Sequence, residues 1–228
     1  MTELTPPPSP IPRGRHAPPL EVRLEVQKQR LFEAAAAVFS RVGYAEASAE
    51  AISREAGMSK ATFYEHFANK EECLVALFGY AAASFAESLV GASSGSGLDF
   101  EARHRAGLRA ILTGIDANPT LAQAMLVETV GAGPRVAELR GNALTAIAET
   151  MYRQTVKAAK RGGGPAYASA DDAFAIVGAT YELISRQLRT GHPERIIDLQ
   201  PLIERLILGL LSQPPAGAES SADPAEPE

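Results

Sequence analysis

Three features of the sequence predict an all-helical chain. Apolar residues recur at three- and four-residue spacing through successive segments, and no stretch shows the alternation of a half-buried strand. The breaks between segments pair a helix stop with a proline suited to a first helical turn: Asn118-Pro119, Gly131-Ala132-Gly133-Pro134, Gly162 to Pro165, and Gly191-His192-Pro193. With 228 residues, 46% of them hydrophobic, the chain can bury the core of one large domain or two small ones.

Residues 1–19 are rich in proline, which cannot sustain a helix, so this stretch is expected to be extended or disordered in the free protein. A first helix is predicted over residues 20–42, where Leu24, Leu31, Ala35, Val38, Phe39 and Val42 keep helical spacing and Gly43 ends the run. Tyr44 is expected to pack under the turn that follows.

Residues 48–70 read as two short helices joined by a tight turn. Ser48 is a suitable N-cap for the first, whose inward residues are Ala49, Ile52 and Ala56, and Gly57 follows where the chain must turn left-handed. Ser59 caps the second. There Phe63 and Phe67 stand four apart and share one face, while Lys60, Thr62, Tyr64 and His66 lie around the others. Burying the two rings fixes the helix and leaves the polar set facing outward. A helix presented in this way fits the major groove of DNA.

Asn69 then caps a long helix from Lys70 to about residue 90, with Glu71 and Glu72 in the first turn, where the helix dipole favours negative charge. Leu74, Leu77, Phe78, Ala81, Phe85 and Leu89 form its apolar stripe, and the glycines and serines of residues 91–97 are expected to break it. Further helices are predicted at residues 99–116, 119–130, 134–160 and 169–190, then from 193 or 198 to 211. Residues 213–228 mix proline, alanine, serine and acid and are expected to be an unstructured tail.

The last two helices carry apolar residues on more than one side, including Phe174, Ile176, Val177, Tyr181 and Ile184 in one, and Leu202, Ile203, Leu206, Ile207, Leu210 and Leu211 in the other. A helix apolar on two sides must be covered on two sides. The second cover is either the core of the same chain or a partner subunit forming a four-helix contact; a terminal helix is seldom enclosed by its own chain, which favours the partner.

Gly43-Tyr44, Ser48, Ile52, Ala56-Gly57, Ser59 and the run Thr62-Phe63-Tyr64-Glu65-His66-Phe67, followed by Asn69-Lys70-Glu71, together resemble the DNA-binding domain of the TetR family of bacterial transcriptional regulators. The resemblance covers roughly the first third of the folded chain; the remainder agrees in length and helical character alone. It implies an all-α homodimer. Residues 20–68 would form a three-helix helix-turn-helix DNA-binding domain, joined by a long helix to a helical-bundle ligand-binding and dimerisation domain over residues 69–212. The implied function is that of a repressor of a quasi-palindromic double-stranded DNA operator, released by a small-molecule effector and paired through its last two helices. By place in the motif, Lys60, Ala61, Thr62 and Glu65 are the implied base-facing residues, with Ser59 beside them. Ser48, Tyr64, His66 and Lys70 fall on phosphate-holding positions.

The chemistry of these side chains fits such roles. Lys60 can donate to guanine acceptors, Thr62 to a base or phosphate, and the Ala61 methyl can meet a thymine methyl. Glu50 and Glu65 are repelled by DNA unless they accept from a cytosine amine or pair with a nearby base; the competing reading, favoured for Glu50, is a solvated surface residue. Arg13 and Arg15, in the N-terminal stretch, could reach an adjacent minor groove as homeodomain arms do; the competing reading is a solubilising tail. For the effector, candidate lining residues are Phe85, Arg105, Leu108, Leu112, Met125, Glu128, Tyr152, Phe174 and Tyr181, each of which equally suits ordinary core.

The net charge of −5 argues against nonspecific coating of DNA, yet from residue 11 to 72 nine basic residues offset nine glutamates, so the acidic excess lies elsewhere. Cys73 is the one cysteine, which excludes an intramolecular disulfide, and a buried structural thiol is the expected role. His16, His66, His104 and His192 lack metal-ligand spacing, and no phosphate-binding glycine loop or nucleophile elbow occurs. No catalytic residue, cofactor or metal is therefore expected. Without a membrane-spanning or secretory segment, the expected location is the cytoplasm. The alternative function is that of a small-molecule-binding or enzymatic helical protein with no specific DNA role, which would leave residues 48–70 unexplained.

Overall fold

The computed structural model describes residues 19–93, 100–162 and 164–211. Among these, nine α-helices and one short 3-10 helix occur, and no strand. The helices are α1 (Leu20–Glu46), α2 (Ala49–Glu55), α3 (Lys60–His66), α4 (Lys70–Ser93), α5 (Phe100–Ala117), α6 (Pro119–Leu126), α7 (Pro134–Ala159), α8 (Ala170–Thr190) and α9 (Gln200–Leu211), with the 3-10 helix at Ile196–Leu199. None is long and apolar enough to cross a membrane. The expected N-terminal arm through residue 18 and the expected tail over residues 213–228 lie outside the described residues.

Several helix ends differ from the expected ones, and α1 continues past the Gly43 bend to Glu46 rather than ending at residue 42. The connecting helix α4 runs on to Ser93, through the first residues of the anticipated break, because a single glycine such as Gly91 weakens a helix without ending it. Helix α6, by contrast, stops at Leu126 rather than near residue 130. The Thr129 hydroxyl donates to the Met125 carbonyl at 2.7 Å, the acceptor that the next helical N–H would have used, and the chain then turns through Gly131.

The chain divides into two compact units, Met1–Ala86 with Asn118–Ala137, and Glu87–Ala117 with Glu138–Glu228. In the first, α1 buries Leu31, Phe32, Ala35, Val38 and Phe39 against Ile52 of α2, Phe63 of α3, and Phe67, Cys73, Leu74 and Leu77. Ala124 and Met125 of α6, with Ala132 and Val136, complete the same core. Each large side chain fully removed from water in this way contributes about 1.5 to 3 kcal/mol relative to exposure.

Gly43 breaks α1 at φ 78°, ψ 160°, a conformation essentially reserved for glycine. A Cβ there would also stand 3.3 Å from the Glu128 carboxylate. The bend lets Tyr44 pack against Phe39, the two rings tilted at 46° with centroids 5.6 Å apart, as the chain enters α2.

In the second unit Leu108 and Leu112 of α5, Ile176, Val177 and Ile184 of α8, and Ile203, Ile207 and Leu211 of α9 are buried. Asp116, at the end of α5, accepts the Ile196 and Ile197 N–H groups at 2.9 and 3.2 Å and so fixes the 3-10 turn that feeds α9. Helix α8 opens on a capping box between Ser169 and Asp172 and closes on left-handed Gly191 at φ 69°.

Candidate nucleic-acid interface

Ser48 caps α2 by accepting from the Ala51 N–H at 3.1 Å. Ile52 is fully buried, and Gly57 at φ 66° reverses the chain after one short helix. Ser59 then caps α3: its Oγ accepts the Thr62 N–H at 3.1 Å and lies 3.0 Å from the Thr62 hydroxyl. Phe63 and Phe67 are buried with ring centroids 5.5 Å apart, which seats α3 against α1 and α4.

With that face buried, the opposite one is fixed. Lys60, Ala61, Tyr64 and Glu65 are exposed, and their spacing puts them on a single stripe of the helix. Tyr64 is 50% exposed, its ring set edgewise against Phe63 at 5.5 Å, so the hydroxyl is held outward on a rigid stem. Three candidates on the flanks are already engaged. The half-buried Thr62 holds the cap with Ser59. His66 Nε2 lies 3.2 Å from Gln27 Oε1 of α1; an amide oxygen only accepts, so the ring donates. The Lys70 ammonium donates to the carbonyls of Tyr44, Ala45 and Ala47. Ser48, Ser59 and Glu50 are exposed, while Arg13 and Arg15 lie outside the described residues.

Gln27 was not foreseen as a support of the recognition helix, since it stands 39 residues from His66 and no local motif links them. Arg54, in the last turn of α2, adds an exposed cation, whereas Arg41 pairs with Glu55 at 2.8 Å. The Cys73 thiol is fully buried, and burial pushes its pKa up to about 12, which suits a packing role.

Burial, and secondarily Lys28, hold the His66 pKa below its ordinary 6.5 against the opposing pull of Glu65 and Glu25. A base with a lowered folded pKa leaves the unfolded chain binding more protons below pH 6.5. Stability from this group is therefore complete above that pH and lost as pH falls through the folded pKa. Denaturation midpoints followed from pH 8 to 5 should fall more for wild type than for His66→Gln; parallel curves would contradict the assignment.

The effector candidates are divided between the two units. Met125 and Glu128 belong to the first unit, where Met125 packs in the core and Glu128 accepts from Gln123 at 3.1 Å. In the second unit Leu108 and Leu112 are core, Arg105 is ion-paired with Glu204, and Tyr181 lies under Arg140 at 5.9 Å. Phe174 is 45% exposed. Tyr152 lines a groove of about 380 Å³ along α7 with Arg153, Val156, Lys157, Lys160 and Arg161. The side chain of Phe85 lies outside those described.

A buried pair of rings holding a seven-residue helix outward, behind a capped helix and a glycine turn, defines a helix-turn-helix DNA-binding domain within an all-helical chain. Residues 31–77 match the family model described as bacterial regulatory proteins, tetR family. They carry the helix-turn-helix domain of that family, and the chain has the fold of its transcriptional regulators. Among solved structures, the fatty acid degradation regulator FadR from Bacillus halodurans is 19% identical, with a TM-score of 0.71 over 82% of this chain and 97% of that one. FadR from Bacillus subtilis, crystallised with stearoyl-CoA, is 17% identical, with a TM-score of 0.69 over 81% and 97%. A TetR-like regulator from Rhodococcus sp. RHA1 is 22% identical, with a TM-score of 0.62 over 82% and 97%. At these identities the likeness is one of fold. No curated protein matches the chain in sequence.

Proposed function

We propose that this protein is a homodimeric transcriptional repressor that binds a quasi-palindromic operator in the cytoplasm and is released by a small-molecule effector. The observation that carries the reading is the outward stripe of α3, Lys60, Ala61, Tyr64 and Glu65, backed by buried Phe63 and Phe67. Lys60 and Ala61 at the start of the helix face base edges, and Glu65 accepts from a cytosine amine. Ser48, Ser59 and Tyr64 offer hydroxyls to phosphate, with Thr62 and His66 at the margins of the contact. Arg13 and Arg15 add a minor-groove arm.

Two such heads on one dimer meet successive major grooves about 34 to 36 Å apart. The effector acts by binding more tightly to a state whose heads are misplaced for DNA, and its influence is limited to that difference in affinity. The stearoyl-CoA complex of the Bacillus subtilis relative makes long-chain acyl thioesters the first effector class to test. No catalytic step belongs to this reading; turnover of such a compound by the pure protein would contradict it.

Selection from random duplexes, repeated in the presence of acyl thioesters, tests the proposal. On the selected operator, Lys60→Ala should cost about 1 to 3 kcal/mol and relax preference at one base pair. An equal loss on every duplex would move Lys60 to the phosphate backbone. Failure to enrich any sequence would remove the repressor reading.

A further inference from the structure

Lys70 is the first residue of α4, directly behind the helix-turn-helix, and its side chain turns back to the point where the chain enters that motif. The ammonium donates to the carbonyls of Tyr44 at 2.9 Å, Ala45 at 2.8 Å and Ala47 at 3.0 Å, distances in the favourable range for N–H···O bonds. It also lies 4.6 Å from the centre of the Tyr44 ring. An ammonium has three N–H bonds, and here each has an acceptor. None is left over for a phosphate oxygen.

The acceptors explain the arrangement. Tyr44 and Ala45 follow the Gly43 break at the end of α1 and Ala47 lies just beyond it, where backbone carbonyls have no helical N–H to receive. Gly43 bends the chain immediately before them, and the three carbonyls converge on one nitrogen. The ring of Tyr44 adds attraction for the cation from its side. Residues 48–69, which hold both α2 and α3, are thereby closed into a loop whose entrance and exit are pinned together by one side chain.

We propose that Lys70 is a positioning residue for DNA recognition, its ammonium clasping residues 44–47 to the start of α4 and so setting how α2 and α3 face the duplex, with no phosphate contact of its own. This rests on the DNA-binding reading above, but the clasp can be observed without DNA. In wild-type protein labelled with nitrogen-15 and carbon-13, through-hydrogen-bond couplings should connect Lys70 Nζ to the carbonyl carbons of Tyr44, Ala45 and Ala47, and should persist when the selected duplex is added. Their loss on adding duplex, or their absence throughout, would overturn the proposal.

Lys70→Met should weaken binding of the selected duplex by about tenfold to a hundredfold, the scale of losing charge-assisted hydrogen bonds, at temperatures where circular dichroism shows the variant folded. The slope of log affinity against log salt should stay as in wild type; a phosphate contact would instead reduce it by about 0.9. Lys70→Arg should not rescue, because a planar guanidinium cannot aim three N–H groups at carbonyls gathered around one point. A reduced salt slope, rescue by arginine, or a folded Lys70→Met with unchanged affinity would each count against the clasp as a positioning device. If Lys70→Met does not fold, the wild-type couplings with and without duplex decide. Wild type that binds no duplex would refute DNA recognition itself, a failure told apart because the couplings would remain.

Discussion

Phe63→Ala is expected to destabilise the first unit by about 3 to 5 kcal/mol, the range for deleting a buried phenyl ring and leaving a cavity behind. Phe63 is fully buried, touches Phe67, and belongs to the cluster that includes Leu31, Phe39 and Ile52. The consequence for function exceeds the consequence for helix content. Helix α3 has seven residues, too few to persist in water without its packing face, so its exposed stripe loses definition when the ring is removed. Between the melting point of the variant's head and that of wild type, DNA binding should vanish while most circular dichroism remains, since the helices of the second unit are untouched. Tyr64→Ala is the contrast: the residue is half exposed, so stability should change by no more than about 0.5 kcal/mol while DNA affinity falls. A loss below about 1 kcal/mol for Phe63→Ala would mean that the ring does not hold the recognition helix.

The same residues show what the sequence made legible. Phe63 and Phe67 declare their shared face by spacing, and Ser48 and Ser59 declare helix starts by the one hydroxyl each places before an apolar run. These are local rules, satisfied within four residues, and the family match over residues 31–77 bears out the resemblance built on them. What stayed hidden depends on partners far along the chain. Nothing near Lys70 announces carbonyls 23 to 26 residues earlier, and nothing near His66 announces Gln27. Helix α6 reads as one more amphipathic segment, yet Ala124 and Met125 join the core that α1 builds. The effector candidates suffer from the same ambiguity: buried Met125 and exposed Phe174 follow the same helical spacing, because periodicity reports that a face is apolar and not what covers it.

A substitution tests that ambiguity for α9: on the homodimeric repressor reading proposed above, Leu206→Glu is expected to give monomers and to weaken operator binding by about 10² to 10⁴-fold. The helix buries Ile203, Ile207 and Leu211 on one side, and these account for its place in the fold. Leu202, Leu206, Gly209 and Leu210 share the other side; Leu206 is 37% exposed and the two leucines beside it are only half-buried. On α8, Phe174, Ala175 and Gly178 likewise share a face, with Phe174 and Ala175 exposed. Small residues beside large apolar ones allow two helices of one subunit to meet the same two helices of another across a two-fold axis. A carboxylate placed at Leu206 would be solvated in the monomer and buried without a counter-charge in the dimer, so its cost falls on association alone. Ile203→Glu, one turn away and fully buried, should instead unfold the second unit. The affinity loss follows from geometry: one head binds by itself, and the second no longer arrives at high effective concentration. Sedimentation equilibrium and operator titration should therefore change together. A Leu206→Glu protein that remains dimeric, or a wild type already monomeric at the concentrations that bind DNA, would place the partner surface elsewhere.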